Sequence, residues 1–103
     1  MKKYFLSYEP QVEVDLKSAI VYYNERQKGL GKRFYTEYLS YLKHIKGNPL
    51  NFQKRYLNIH VAPLKVFPFL IFYIIDGNEI IVLTVLHSSQ NPDNWPVEVP
   101  PIR

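Results

Sequence analysis

The sequence predicts an α+β domain of order strand-helix-helix-strand-strand-strand, with an antiparallel sheet packed on an αα-hairpin. Three observations lead there: two apolar runs flanking Asp76-Gly77-Asn78-Glu79, two stretches of helical periodicity separated by Lys28-Gly29-Leu30-Gly31, and a short β-prone segment ahead of Pro10. At 103 residues the chain is expected to form one domain spanning 1–103, large enough for a single core and too small for two.

Lys3 to Tyr8 is β-prone and stops at Glu9-Pro10, which makes it a first strand at a sheet edge. From Pro10 the period changes. Val12, Leu16, Ala19, Ile20 and Tyr23 recur at helical spacing, and Glu13 and Asp15 fall early, where a helix N-terminus favours carboxylates. This helix is expected to run to about Gln27. A second periodic set, Leu30, Phe34, Tyr38, Tyr41, Leu42 and Ile45, ends at Gly47-Asn48-Pro49, a glycine and proline stop. So short a connection makes the pair an antiparallel αα-hairpin.

Lys54 to Pro63 reads as one strand in which Tyr56, Asn58, His60 and Ala62 alternate with Arg55, Leu57, Ile59 and Val61, giving an apolar and a polar-basic face. Pro63 and Pro68 bound a kinked segment. The hairpin from Phe67 to His87 follows, and neither of its runs alternates apolar with polar: Phe69, Ile71, Tyr73 and Ile75 oppose Leu70, Phe72 and Ile74. Both faces therefore require burial. One helical hairpin covers one side, so the other is expected to need a covering chain, either a partner protein or a second copy in a homodimer. Ser88 to Pro96 is loop chemistry anchored by Trp95, and Val97 to Arg103 is expected to be an extended arm.

Composition narrows the function classes. The chain has no cysteine, which removes disulfides and thiolate metal sites and fits an intracellular setting. The apolar run Val66 to Ile75 is far below the roughly 20 residues of a membrane-spanning helix. Tyr4 to Tyr8 is too short for a signal-peptide core, so a cytoplasmic protein is expected. The net charge is +4, and no acidic residue lies between Glu37 and Asp76, while Lys43, His44, Lys46, Lys54, Arg55, His60 and Lys65 do. That window either attracts a polyanion or an acidic partner, or is plain solvated surface. His44 and His60 lack carboxylates at metal-ligand spacing, so no metal or cofactor is expected.

An ordered set of local marks runs from Val14 to Trp95: Val14-Asp15-Leu16, Ala19 and Tyr22-Tyr23; Gly29-Leu30-Gly31 with Phe34; Ile45 with Asn48-Pro49; Phe67-Pro68-Phe69 with Ile71 and Tyr73; Val85-Leu86-His87, Asn91-Pro92 and Trp95. In these marks the chain resembles the ParE/RelE superfamily of toxins from bacterial type II toxin–antitoxin pairs, also called plasmid stabilisation proteins. The resemblance implies a strand-helix-helix-three-strand fold and a cognate antitoxin. RelE-like members are ribosome-dependent mRNA nucleases; that reading would give Lys54, Arg55, His60, Lys65 and His87 phosphate-holding and acid–base roles. The chain is arginine-poor for such a site and has Trp95 and a proline arm where those nucleases commonly place tyrosine or histidine.

The helical hairpin and the Phe-Pro-Phe motif are more similar to the ParE-like branch, which has no nuclease centre and is associated with poisoning of DNA gyrase. In that branch Phe67, Pro68, Phe69, Tyr73, His87, Gln90 and Trp95 form the expected binding set, and no residue is catalytic. Gln90 stands where many relatives carry arginine, keeping hydrogen bonding but losing charge and the bidentate fork, and it makes an inactive member a third reading. Judged alone, His87 is a packed strand-end histidine and Trp95 a tail anchor. Of Tyr22, Tyr23, Tyr35, Tyr38 and Tyr41, some must lie on the surface.

Overall fold

Pro10 opens the first helix because its missing N–H is one the helix leaves unpaired anyway, and Glu9 before it is extended (ψ 152°). The computed structural model describes residues 3–90 and residue 96. Its elements are β1 (Phe5–Tyr8), α1 (Pro10–Arg26), α2 (Leu30–Gly47), a 3₁₀ turn (Pro49–Asn51), β2 (Lys54–Tyr56), β3 (Ile59–Pro63), β4 (Phe69–Asp76) and β5 (Glu79–His87). None of the described helices is long and apolar enough to cross a membrane.

Gly29 begins α2 from the left-handed region (φ 84°), a conformation that costs glycine nothing. Gly31, two residues on, is where the helices touch: a Cβ there would stand 2.6 Å from the Ile20 carbonyl oxygen. Its own N–H donates to Asn24 Oδ1 (2.9 Å). Below this contact Phe34, Tyr38, Leu42 and Ile45 of α2 and Val12, Ala19 and Tyr23 of α1 are buried against the sheet.

The sheet departs from expectation in three ways. It is mixed, in the order β1-β5-β4-β3-β2, because β1 pairs parallel to β5 while the other pairs are antiparallel. The helical hairpin returns the chain to the far side of the sheet, so the first strand meets the last one running alongside it. Second, Lys54–Pro63 is two strands and not one. Leu57 takes a positive φ (51°), and Tyr56 pairs back on Ile59 across a tight turn. In β3, Ile59, His60, Val61 and Ala62 are all buried, so the polar-basic face expected for this segment does not exist there; the basic residues belong to edge strand β2.

The third departure concerns the sheet face away from the helices. Ile59, Val61, Phe72, Ile74, Ile81 and Leu83 form a second apolar cluster there, flanked by Leu70 and Leu86. These six are only 1–6 % exposed in the single chain, so the expectation of a face left bare for a second polypeptide is corrected. Two-sided burial follows from the unbroken apolar runs of β4 and β5, but the covering does not require another molecule. The expected arm Val97–Arg103 lies outside the described residues, and Pro96 is half-buried.

One irregularity decides which way the end of β5 points. Phe72 pairs with Thr84 and Tyr73 with Val82, leaving Leu83 without a partner of its own. This bulge reverses the side-chain parity of the strand. Before it Ile80 and Val82 face the helices; beyond it Val85 does, and His87, paired with Phe69, shares that face.

Candidate functional site

A cavity of about 610 Å³ lies between α1 and the end of β5, and the bulge places His87 in its wall together with Phe69, Ser89 and Gln90. Asp15 builds the helix side. Its Oδ2 accepts from the Val85 N–H (3.0 Å) and the Thr84 hydroxyl, and its Oδ1 from Gln11 Nε2 (2.9 Å). The carboxylate therefore fastens α1 to β5 just past the bulge, accepting from an amide that lies beyond the end of the β1 pairing at Val82.

His87 is oriented by its successors. The Ser89 N–H reaches His87 Nδ1 at 3.0 Å and the Ser89 hydroxyl at 2.7 Å, so Nδ1 is the acceptor and the neutral ring carries its proton on Nε2. Phe69 meets the ring edge-on at 5.2 Å and 75°, and the Ser88 N–H donates to the Pro68 carbonyl (2.7 Å), tying the β5 exit to the Phe-Pro-Phe segment. Gln90 is exposed at the rim. Among the described residues the lining contains a carboxylate, amides and a neutral imidazole donor but neither lysine nor arginine. Such a surface recognises hydrogen-bonding groups; it lacks the cation that would stabilise a pentavalent phosphate.

The other expected residues fall elsewhere. Phe67 and Phe69 are buried, packed with Tyr23 and Phe34 at ring separations of 4.8–6.1 Å. Tyr73 is fully buried and donates its hydroxyl to the Pro49 carbonyl (2.6 Å); burial raises its pKa above the ordinary value. His60 stacks on Tyr73 (5.1 Å, 11°) and donates from Nδ1 to the Phe52 carbonyl (2.8 Å), a core arrangement with no solvent face. Lys54 and Arg55 sit on edge strand β2, three strand spacings or roughly 14 Å from β5. Lys65 lies beside Lys32 and Arg33, where a groove of about 500 Å³ separates α2 from the loop before β4. The chain thus brings Phe69, His87 and Gln90 together and disperses Lys54, Arg55, His60 and Lys65. Asn91, Pro92 and Trp95 lie outside the described residues.

The sequence reading took Asp15 only as an early helix carboxylate and missed the structural role of both Asp15 and Glu37. Asp15 lies three residues after Val12 and four before Ala19, on the buried stripe of α1, and a carboxylate at a core-facing position is a signal in itself. Glu37 holds the loop ahead of β4 by accepting from the Val66 and Phe67 N–H groups (2.8 and 3.0 Å). No sequence pattern announces that contact, which spans about thirty residues. Among the described residues no cluster of three or more histidines and carboxylates could hold a metal.

Comparison with known proteins bears on the family and the fold. A family model described as the ParE toxin of the type II toxin–antitoxin system, parDE, matches residues 6–92. No curated protein matches the sequence. Among solved structures, a chain from the chromosomal ParDE toxin–antitoxin system of P. aeruginosa superposes with a TM-score of 0.74 at 15 % identity, covering 82 % of this chain and 96 % of that one. At that identity the likeness establishes the fold.

Proposed function

The chain belongs to the ParE toxin family of type II toxin–antitoxin systems, and from that membership we propose that it poisons DNA gyrase by binding, in the cytoplasm, and is neutralised by a cognate antitoxin. The observation that favours binding over RNA cleavage is the dispersal of the basic residues. Among the described residues the cavity holding His87 has no lysine or arginine in its lining, while Lys54 and Arg55 occupy the far edge of the sheet and Lys65 the loop by α2. Attack of a 2′-hydroxyl on a phosphate needs cations within contact distance of the developing charge, and a neutral imidazole alone does not supply them. Phe69, His87 and Gln90 instead offer a polar, aromatic-backed surface suited to a protein target.

The test pairs two assays on the purified chain. Gyrase supercoiling and cleavage-complex assays should show inhibition that the antitoxin relieves, and that weakens when Gln90 and His87 are replaced by alanine. Primer extension on translated message should show no new 5′ ends. Cleavage confined to translated message, with gyrase unaffected, would establish the RelE-like alternative; silence in both, with normal growth on expression, would mark the chain as an inactive member.

A further inference from the structure

The outward face of α2 carries a charge pattern that the gyrase reading does not use. At about 100° per residue, the exposed residues Lys32, Arg33, Thr36, Ser40, Lys43 and His44 fall within about a third of the helix circumference, with Gly47 among them. This arc holds no carboxylate, no large apolar residue and no phenyl or indole ring. Phe34, Tyr38, Leu42 and Ile45 take the buried side. The one carboxylate of α2, Glu37, turns to the loop ahead of β4, where it accepts from the Val66 and Phe67 N–H groups (2.8 and 3.0 Å). It thereby holds the loop that brings Lys65 beside Lys32 and Arg33. Among the described residues no ion pair neutralises Lys32, Arg33, Lys43 or Lys65, and no residue between Glu37 and Asp76 is acidic.

Unopposed positive charge on a rigid helix attracts a polyanion, and the arrangement of this arc selects among polyanions. Cations stand at its two ends. Lys32 and Arg33 lie in the first turn and Lys43 about 15 Å further on, at 1.5 Å per residue. Between them are only short hydroxyl side chains: Thr36 donates to the Lys32 carbonyl (2.9 Å), which leaves Ser40 as the hydroxyl donor in the middle. Two positive ends with low relief between them fit phosphates on opposite walls of a B-form major groove, roughly 12 Å wide. An acidic partner helix would need apolar anchors on this arc, and a single strand would need rings to stack its bases; neither is present. Duplex RNA is disfavoured because its major groove is too deep and narrow for side chains to enter. We propose that the outward face of α2 binds the phosphate backbone of duplex DNA through Lys32, Arg33 and Lys43, with Lys65 on the facing loop as a fourth contact. Phosphate contacts carry no sequence information, so the binding is indifferent to sequence. It is a property of the chain without gyrase, and its failure would leave the gyrase reading untouched.

Fluorescence anisotropy of a short labelled DNA duplex, titrated with the purified full-length chain at several salt concentrations, tests it. Four phosphate contacts predict a slope of about −3.6 in log K against log salt, and roughly a hundredfold loss of affinity between about 50 and 200 mM. Lys32→Ala, Arg33→Ala, Lys43→Ala and Lys65→Ala should each flatten that slope by about 0.9. Lys17→Ala removes the same charge from an exposed position on α1 and should leave the slope unchanged, which separates a local contact from the field of a chain with net charge +4. Single-stranded DNA and duplex RNA of the same sequence should bind more weakly than the DNA duplex. All five positions are exposed, so the variants should keep the parent's circular dichroism and thermal midpoint. No binding at about 50 mM salt, alanine variants of the arc that keep the parent's slope, a Lys17→Ala effect equal to that of Lys32→Ala, or tighter binding to RNA or single strands would overturn the proposal.

Discussion

Single residues with unusual surroundings give the sharpest expectations. Tyr38 carries a hydroxyl that is buried and unpaired, and burial, reinforced by Tyr8 and Tyr35, pushes its pKa above 10.0. Removing that oxygen leaves the ring packing in place and deletes a desolvated polar group, so Tyr38→Phe should raise stability by about 1 kcal/mol in neutral urea denaturation. The same variant has an alkaline signature. A tyrosine whose pKa is raised on folding contributes stability that is complete below pH 10 and is lost as the unfolded chain sheds its proton first. Tyr38 and Tyr73 both behave this way, each costing about 1.4 kcal/mol per pH unit above 10, so Tyr38→Phe should roughly halve their joint slope.

Asp15 is the opposite case, a carboxylate wholly engaged. Asp15→Ala strands the Val85 amide and the Thr84 hydroxyl and should cost about 2–3 kcal/mol. Asp15→Asn, which keeps an acceptor, should lose about half as much, and a loss within error for the alanine variant would refute the fastening role.

At the scale of elements, the helix junction is set by one missing methyl group. Because a Cβ on Gly31 would press on the backbone oxygen of Ile20, Gly31→Ala must spread α1 from α2, at a cost of about 1–3 kcal/mol. Gly47, in the last turn of α2, would meet nothing within 4 Å, so Gly47→Ala should be neutral or mildly stabilising. In thermal unfolding the two alanines should move the midpoint in opposite directions or differ by at least about 4 °C. Elements were also where the sequence was most legible. The helical periods, the Gly47-Asn48-Pro49 stop and the Asp76-to-Glu79 turn each state a local preference, and α1, α2, β4 and β5 lie where those preferences put them. What the pattern hid was non-local or conformational: a positive φ at Leu57, which leucine rarely adopts, split one strand into two, and the bulge at Leu83 leaves no mark in an apolar run. The site suffered most from the second omission, since the bulge alone decides that His87 joins Asp15 on the helix side.

For the whole molecule, the question is whether the sheet owes its stability to a partner. A chain with continuous apolar strands and one layer of helices reads as half a core, and the sequence taken alone implies a face awaiting cover. The structure instead buries Phe72 to 1 % and Ile74 to 4 % within the one chain, alongside Ile59 and Ile81. These alternatives differ in what a truncation does to the free protein. On a face that waits for a partner, Phe72→Ala would remove exposed surface and leave the isolated chain within about 0.5 kcal/mol of its parent, the usual effect of a surface change. In a closed second core it opens a cavity and should cost about 3–5 kcal/mol, comparable to Phe34→Ala in the helix-facing core, where Phe34 is fully buried. Urea denaturation of the purified chain without antitoxin, at several concentrations, distinguishes them. A loss for Phe72→Ala that is large and independent of concentration means the toxin domain carries both cores itself. A loss that appears only in complex would restore the antitoxin as a structural half of the fold.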